Sequence, residues 1–207
     1  MSATIEFIFD FGSPNAYLAY RALPAILERT GATLVINPCL LGGIFKATGN
    51  LAPAVAFTPI KGKYEYEMLE LRRFVARNRF EKFRLNPHFP VNTLMLMRVL
   101  VAAQEGGSGA AFLEMGLEGM WEEGLKLDDK DVLARQIDSM GLDSASLLAA
   151  AQTDPIKQKL ADNTAAAVAR GVFGIPTFFV GDEMFFGKDR LGQVEEAVEA
   201  TSARAAS

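Results

Sequence analysis

From Thr4 to Asp10 the chain alternates. Ile5, Phe7 and Phe9 fall on one side and Glu6, Ile8 and Asp10 on the other, a period of two that predicts a β-strand. Phe11-Gly12 breaks the alternation. Ser13-Pro14 reads as a helix start, because a serine hydroxyl can accept from the free N–H groups of a first turn and proline loses nothing at the first helical position. Ala16, Tyr20, Leu23 and Leu27 follow at helical spacing, with Pro24 expected to kink the helix and Gly31 to close it in the left-handed conformation. Thr33 to Asn37 predicts a second strand, stopped by Pro38. Strand, helix, strand in this order makes the two strands parallel neighbours in one sheet.

Helical periodicity then takes over from Cys39 to Arg170. Tyr64, Met68, Leu71 and Val75 mark one helix and Thr93 to Gln104 a second. Phe112 to Glu123, Asp129 to Met140, Ser144 to Ala151 and a stretch opened by Asp154-Pro155 mark the others. Gly49 to Ile60 and Asn86 to Pro90 carry the Pro and Gly of loops, where substrate contacts are often placed. After Gly171, Thr177 to Val180 and Glu183 to Phe186 predict an antiparallel pair around Gly181-Asp182. Leu191, Val194 and Val198 give a closing helix its buried face. The order βαβ, helices, ββα is that of an α/β, thioredoxin-like fold with a large helical insertion between its two halves. On this reading residues 1–39 and 171–207 form the thioredoxin-like domain and residues 40–170 the inserted helical domain.

Composition narrows the function. Half of the 207 residues are apolar and 22% are charged, enough for a dense core. Lys and Arg number 21 against 25 Asp and Glu, a net charge of -4 that offers no positive field for nucleic acid or an anionic bilayer. Glu6 and Asp10 interrupt the first apolar stretch and no run of ~20 apolar residues follows, so a soluble, cytoplasmic chain is expected. One cysteine, Cys39, and one histidine, His88, exclude an intrachain disulfide, a paired-thiol redox cycle and a multi-cysteine or histidine-rich metal site. Cys39 reads as a buried small apolar residue, and His88, in a Pro-rich loop, as structural or exposed rather than a general base. Trp121, Met115 and Met120 read as core, and Asp128, Asp129 and Asp131 as the acidic opening of a helix rather than a metal loop.

Three stretches could carry chemistry. The turn from Asp10 to Ala16 lies where open α/β sheets bind ligands, at the carboxyl end of a strand and the positive end of a helix. Thioredoxin-like oxidoreductases carry Cys-x-x-Cys at this point, but here it is Ser13-Pro14-Asn15-Ala16, so any thiol must come from a bound molecule. Read alone, Ser13 is equally a helix cap. In the second stretch, Gly174-Ile175-Pro176-Thr177, a cis Ile175–Pro176 bond is expected beside Ser13, with the Ile175 backbone free to pair with an extended ligand. The alternative is that Pro176 only starts a strand. In the third, Phe186 to Leu191, Asp189 and Arg190 offer opposite charges to a zwitterion, or else form an ordinary charged first turn.

In this order and spacing the three stretches resemble the 2-hydroxychromene-2-carboxylate isomerase and kappa-class glutathione transferase family. Phe9 to Ala19 is similar to its opening motif, Val172 to Val180 to its cis-Pro segment and Phe186 to Leu191 to its glutathione clasp. Gly49-Asn50, Lys61-Gly62 and Trp121-Glu122-Glu123-Gly124 fall in order between them, and only the Ala/Ser tail lies outside the resemblance. The resemblance implies a glutathione-dependent isomerase, a homodimer, interconverting 2-hydroxychromene-2-carboxylate and trans-o-hydroxybenzylidenepyruvate or a related aromatic-degradation intermediate. It further implies Ser13 as the catalytic residue, donating to the glutathione sulfur, and Ile175, Pro176, Phe186, Gly187, Lys188, Asp189 and Arg190 as the remaining glutathione contacts. Gly49, Asn50, Lys61, Gly62 and Asn92 are implied near the substrate, with Asn50 and Lys61 assignable either to its carboxylate or to the glycine end of glutathione. Two alternatives stay open: a kappa-like transferase that conjugates electrophiles, and a non-catalytic binding module in which Ser13 only caps.

Overall fold

The computed structural model describes residues 3–206, with side chains through residue 203. The chain runs β1 (Thr4–Phe9), α1 (Pro14–Thr30) and β2 (Thr33–Pro38), then through helices α2 (Leu41–Thr48), α3 (Pro53–Ala56) and α4 (Lys63–Asn78). After α5 (Leu94–Glu105) and α6 (Gly109–Glu118) a π turn occupies Gly119–Glu123, followed by α7 (Lys130–Ser139), α8 (Ser144–Ala150) and α9 (Asp154–Ala169). β3 (Thr177–Val180), β4 (Glu183–Phe186), a 3₁₀ turn (Lys188–Arg190) and α10 (Leu191–Ala206) complete it. The sheet order is β2-β1-β3-β4, with β1 parallel to β2 and antiparallel to β3. Phe7 sits opposite both Ile36 and Phe178. The βαβ opening and the ββα close, including the Gly181-Asp182 turn, are where the alternation puts them.

β1 is the central buried strand: Ile5, Phe7, Ile8 and Phe9 are all sealed from solvent. A strand reads this way when helices cover both of its faces. α1 packs with α10, which lies against β1, β3 and β4, while α5 and α9 pack together and against β2. Ser13 has extended backbone and its Oγ accepts from Ala16 N, while Gly31, at φ 67°, closes the helix with its N–H on Leu27 O. The helix runs through Pro24 as one element, so the expected kink does not divide it.

Two features of the helical region differ from expectation. α2 forms where no helix was predicted, and the stretch read as a loop from Gly49 to Ile60 contains the short α3. The helix expected from Phe112 to Glu123 is α6 plus the π turn. That turn is held from outside: Asn86 Nδ2 donates to Met120 O at 3.0 Å and Leu125 O at 2.8 Å, and Arg84 N donates to Trp121 O at 2.8 Å. Trp121 Nε1 in turn donates to Phe11 O at 2.9 Å. The helical region is thereby bonded to the turn that precedes α1. Phe11 stacks edge-on against Phe9 at 4.9 Å and Phe112 at 6.1 Å. A Cβ on Gly116 would lie 2.3 Å from Phe11 Cε1, so α6 reaches this ring only because residue 116 is glycine. Trp121, Met115 and Met120 are core, as expected.

Among the described residues no helix is long and apolar enough to cross a membrane, and no cluster of His, Cys, Asp and Glu could hold a metal ion. Asp129 caps α7, accepting from Asp131 N and Val132 N, which holds its carboxyl below the usual value. This is the helix opening anticipated for the 128–131 acidic run.

Candidate active site

Ser13 ends the turn from β1 into α1, and Ile175-Pro176 leads into β3. The two meet: Ser13 Oγ donates to Ile175 O at 2.9 Å while accepting from Ala16 N at 3.2 Å. The Ile175–Pro176 peptide is cis, as the sequence led us to expect. A second cis bond, Phe89–Pro90, was not anticipated. Ser13 is 5% exposed and Ile175 6%, so both are buried rather than on the surface. The segment is braced by Thr177 Oγ1 donating to Gly174 O at 2.8 Å and Gly187 N donating to Pro176 O at 2.9 Å. Phe186 closes over Gly174, where a Cβ would come within 2.9 Å of the ring, and packs on Phe173 at 4.5 Å. Asn50 Nδ2 lies 3.5 Å from Phe173 O, which brings the end of α2 to the same edge.

Among the described residues no carboxylate or imidazole is hydrogen-bonded to the Ser13 hydroxyl. Its hydrogen-bond acceptor is a backbone carbonyl, and His88 is exposed on a separate loop. A nucleophilic serine needs its proton taken by an adjacent base. Ser13 is therefore suited to donate a hydrogen bond, at a helix end whose first turn carries no acidic residue to offset its positive potential. An anion seated there would be stabilised by the hydroxyl and the helix together.

The other predicted residues divide. Lys188 is 5% exposed and turned inward, with Nζ 2.9 Å from Asp189 Oδ2 and 5.3 Å from the centroid of Phe74. Asp189, its side chain 60% exposed, and the exposed Arg190 present the opposite charges of this segment outward. Gly49 and Gly62, both with left-handed backbone, end α2 and precede α4. Lys61 is exposed, and no hydrogen bond or ion pair among the described residues joins Lys61 or Gly62 to Ser13 or Ile175. Asn92 is occupied locally: its Oδ1 accepts from Leu94 N at 3.1 Å and its N–H donates to Asp128 Oδ2 at 3.3 Å.

Asp10 is the residue that sequence reasoning passed over. It is fully buried at the end of β1, its carboxylate accepting from Gly12 N at 2.8 Å, Leu41 N at 2.7 Å and the Thr93 side chain. Burial pushes its pKa up, against the pull of those three hydrogen bonds. One carboxylate thus ties the turn before Ser13 to the starts of α2 and α5. Further along α1, Tyr17 OH donates to Glu122 Oε1 at 3.0 Å and Arg21 bonds Glu114 and Glu122 at 2.6 and 2.8 Å. Tyr17, Arg21 and Glu122 border a cavity of about 410 Å³ in which acidic and basic groups largely answer one another.

Cys39 is buried, its Sγ donating to Asn163 O at 3.4 Å, and burial pushes the thiol up to about 12. A thiol attacks as thiolate, so Cys39 is inert in the folded chain. The native protein at pH 8 is expected to leave a disulfide reagent such as dithiobisnitrobenzoate unreacted and to consume one equivalent once unfolded. Rapid stoichiometric reaction of the native chain would place a usable thiol inside the protein.

The chain is 29% identical over 197 residues to 2-hydroxychromene-2-carboxylate isomerase of Pseudomonas putida, covering 94% of this chain and 93% of that protein. It is 28% identical over 201 residues to glutathione S-transferase kappa 1 of Rattus norvegicus, covering 90% and 87%. A solved structure of 2-hydroxychromene-2-carboxylate isomerase superposes with a TM-score of 0.80 at 27% identity, covering 98% of each chain. Pseudomonas aeruginosa DsbA, at 16% identity and a TM-score of 0.59 over 100% of this chain and 87% of that one, shares the fold. Residues 4–199 match the model of the DSBA-like thioredoxin domain, and with the four-stranded sheet and the helical region between its halves, the chain belongs to the DSBA-like thioredoxin domain family.

Proposed function

We infer that this protein is a glutathione-dependent isomerase acting on an unsaturated aromatic carboxylate, of the kind interconverted by 2-hydroxychromene-2-carboxylate isomerase. The observation that carries the reading is the Ser13 hydroxyl, set at the N-terminus of α1 against the Ile175 carbonyl. The residues fit a bound glutathione. Ile175 offers a backbone edge for the cysteinyl unit, and Asp189 and Arg190 offer outward charges of both signs for the γ-glutamyl end. Lys188 acts behind them, holding the Asp189 carboxylate in place.

Bound glutathione would supply a thiolate that adds to a conjugated carbon, turns a double bond into a rotatable single bond, and leaves unchanged. The chain's own part is electrostatic. Ser13 has one proton to donate, and it now rests on Ile175 O. Turning that proton toward the sulfur leaves the Ile175 carbonyl open to the cysteinyl N–H of the ligand, so the two hydrogen bonds are exchanged rather than lost. Both the serine and the helix end favour the ionised sulfur, which lowers its pKa. Asn50, Lys61 and Asn92 then stand as candidate contacts for the substrate carboxylate, which Lys61 suits by charge.

A second reading, conjugation of an electrophile, is favoured by the kappa-class transferases among the relatives. One assay separates the two. With 2-hydroxychromene-2-carboxylate, interconversion followed by absorbance is expected to require glutathione, while the total free thiol stays constant. Thiol lost in step with product would make the protein a transferase. Turnover independent of glutathione would remove the mechanism.

A further inference from the structure

We propose that a cavity of about 360 Å³ between α2, α5 and α9 is a second ligand site, which takes a small organic carboxylate with an apolar body. Leu40, Leu94, Leu160 and Ala161 form its apolar walls, Arg98 and Lys157 also line it, and no Asp or Glu does. Among the described residues the Arg98 guanidinium enters no ion pair, and its buried Nε has no hydrogen-bond partner. Lys157 reaches only the exposed carboxylate of Asp154, at 3.3 Å. The Thr164 hydroxyl is engaged elsewhere, donating to Leu160 O at 2.7 Å and accepting from Leu40 N at 2.9 Å, and it carries no charge to answer either cation. A buried guanidinium N–H without an acceptor is costly, and a planar carboxylate can accept from Nε and a terminal nitrogen of the half-buried Arg98 through paired, charge-assisted hydrogen bonds. The volume is at the lower end of the ~300–1,000 Å³ usual for small-molecule pockets.

None of its lining residues is among the contacts proposed for glutathione or substrate, and the site does not depend on the isomerase reading. It does touch the supports of the turn that carries Ser13. Leu40 precedes Leu41 and Leu94 follows Thr93, the two distant residues that bind Asp10.

The test uses the full, isotopically labelled chain without glutathione, titrated with 2-naphthoate and, separately, with the uncharged 2-naphthamide. Amide resonances of Gly43, Ala47, Ala161 and Ala165 report this cavity; those of Gly12 and Gly187 report the Ser13 site. Saturable shifts at the first set are expected with naphthoate and not with the amide. Arg98→Met should weaken that binding about tenfold or more, the effect of losing a charge-assisted hydrogen bond. Lys157→Met, at the half-exposed rim, should weaken it by less and covers the case in which Arg98→Met folds poorly. No saturable shift at the first set below about 10 mM, an equal response to the amide, or unchanged affinity in a folded variant would each overturn the proposal.

Discussion

Asp10→Ala should cost the folded chain about 2–6 kcal/mol, because it leaves two half-buried N–H groups, those of Gly12 and Leu41, with no acceptor at ~1–3 kcal/mol each. For a chain of this size, at ~2–4 °C per kcal/mol, that is a fall in melting temperature of roughly 4–24 °C. Asp10→Asn should lie between: the amide oxygen can serve one donor, but its NH₂ then faces the other. The pH dependence has a definite sign. Burial raises the folded pKa of Asp10 above its ordinary 3.8, so between the two values the native state holds a proton that the unfolded chain has released. Stability from this group therefore rises as pH falls through the folded pKa, and the cost of ionising it is fully present above that pKa. The gap between wild type and Asp10→Asn should widen on acidification toward pH 4 in urea unfolding. A loss under ~1 kcal/mol in Asp10→Ala would show that the carboxylate does not hold these three elements together, and a gap that narrows as pH falls would show that its hydrogen bonds outweigh burial and hold its folded pKa below 3.8.

The reason Asp10 escaped sequence reading is also the reason α2 did. Strands β1, β2, β3 and β4 announce themselves through alternation and turn residues close in sequence, and α1 through Ser13-Pro14 at one end and Gly31 at the other. Those signals are local. α2 has two glycines and no side-chain cap, and its first N–H is satisfied by Asp10, 31 residues earlier. Gly43 within it is needed for packing, since a Cβ there would come within 3.1 Å of Thr164 Cγ2. The π turn is similarly set by Asn86, from a loop 34 residues away. That Ser13 would meet Ile175 and Pro176 was legible only because the order of elements put β1 beside β3 and so brought two short motifs together. Lys188 shows the limit of that reading: its position beside Asp189 and Arg190 suggested a ligand contact, and the chain turns its ammonium into the protein.

Ser13→Ala should lower turnover with glutathione near neutral pH by about tenfold to a hundredfold while affecting glutathione affinity less. The first effect follows from losing a hydrogen bond to a charged sulfur, worth ~1.5–3 kcal/mol, at ~1.4 kcal/mol per tenfold. The second follows from distance along the chain: Asp189, Arg190 and the Ile175 backbone are untouched by the change. Stability should fall as well, by ~1 kcal/mol for the helix cap and by ~0.5–1.5 kcal/mol for the hydrogen bond to Ile175 O. A stability loss alone would therefore fit a purely structural serine, and it cannot decide the matter. The thiol pKa of bound glutathione can, because only a hydroxyl that donates to the sulfur stabilises its ionised form. Following the ultraviolet absorbance of the thiolate against pH in both proteins, below the melting temperature of the variant, should show that pKa rise in Ser13→Ala. If it stays where it is in wild type while the melting temperature drops, the Ser13 proton belongs to Ile175 in the complex too, and the ionised sulfur is held by the end of α1 alone.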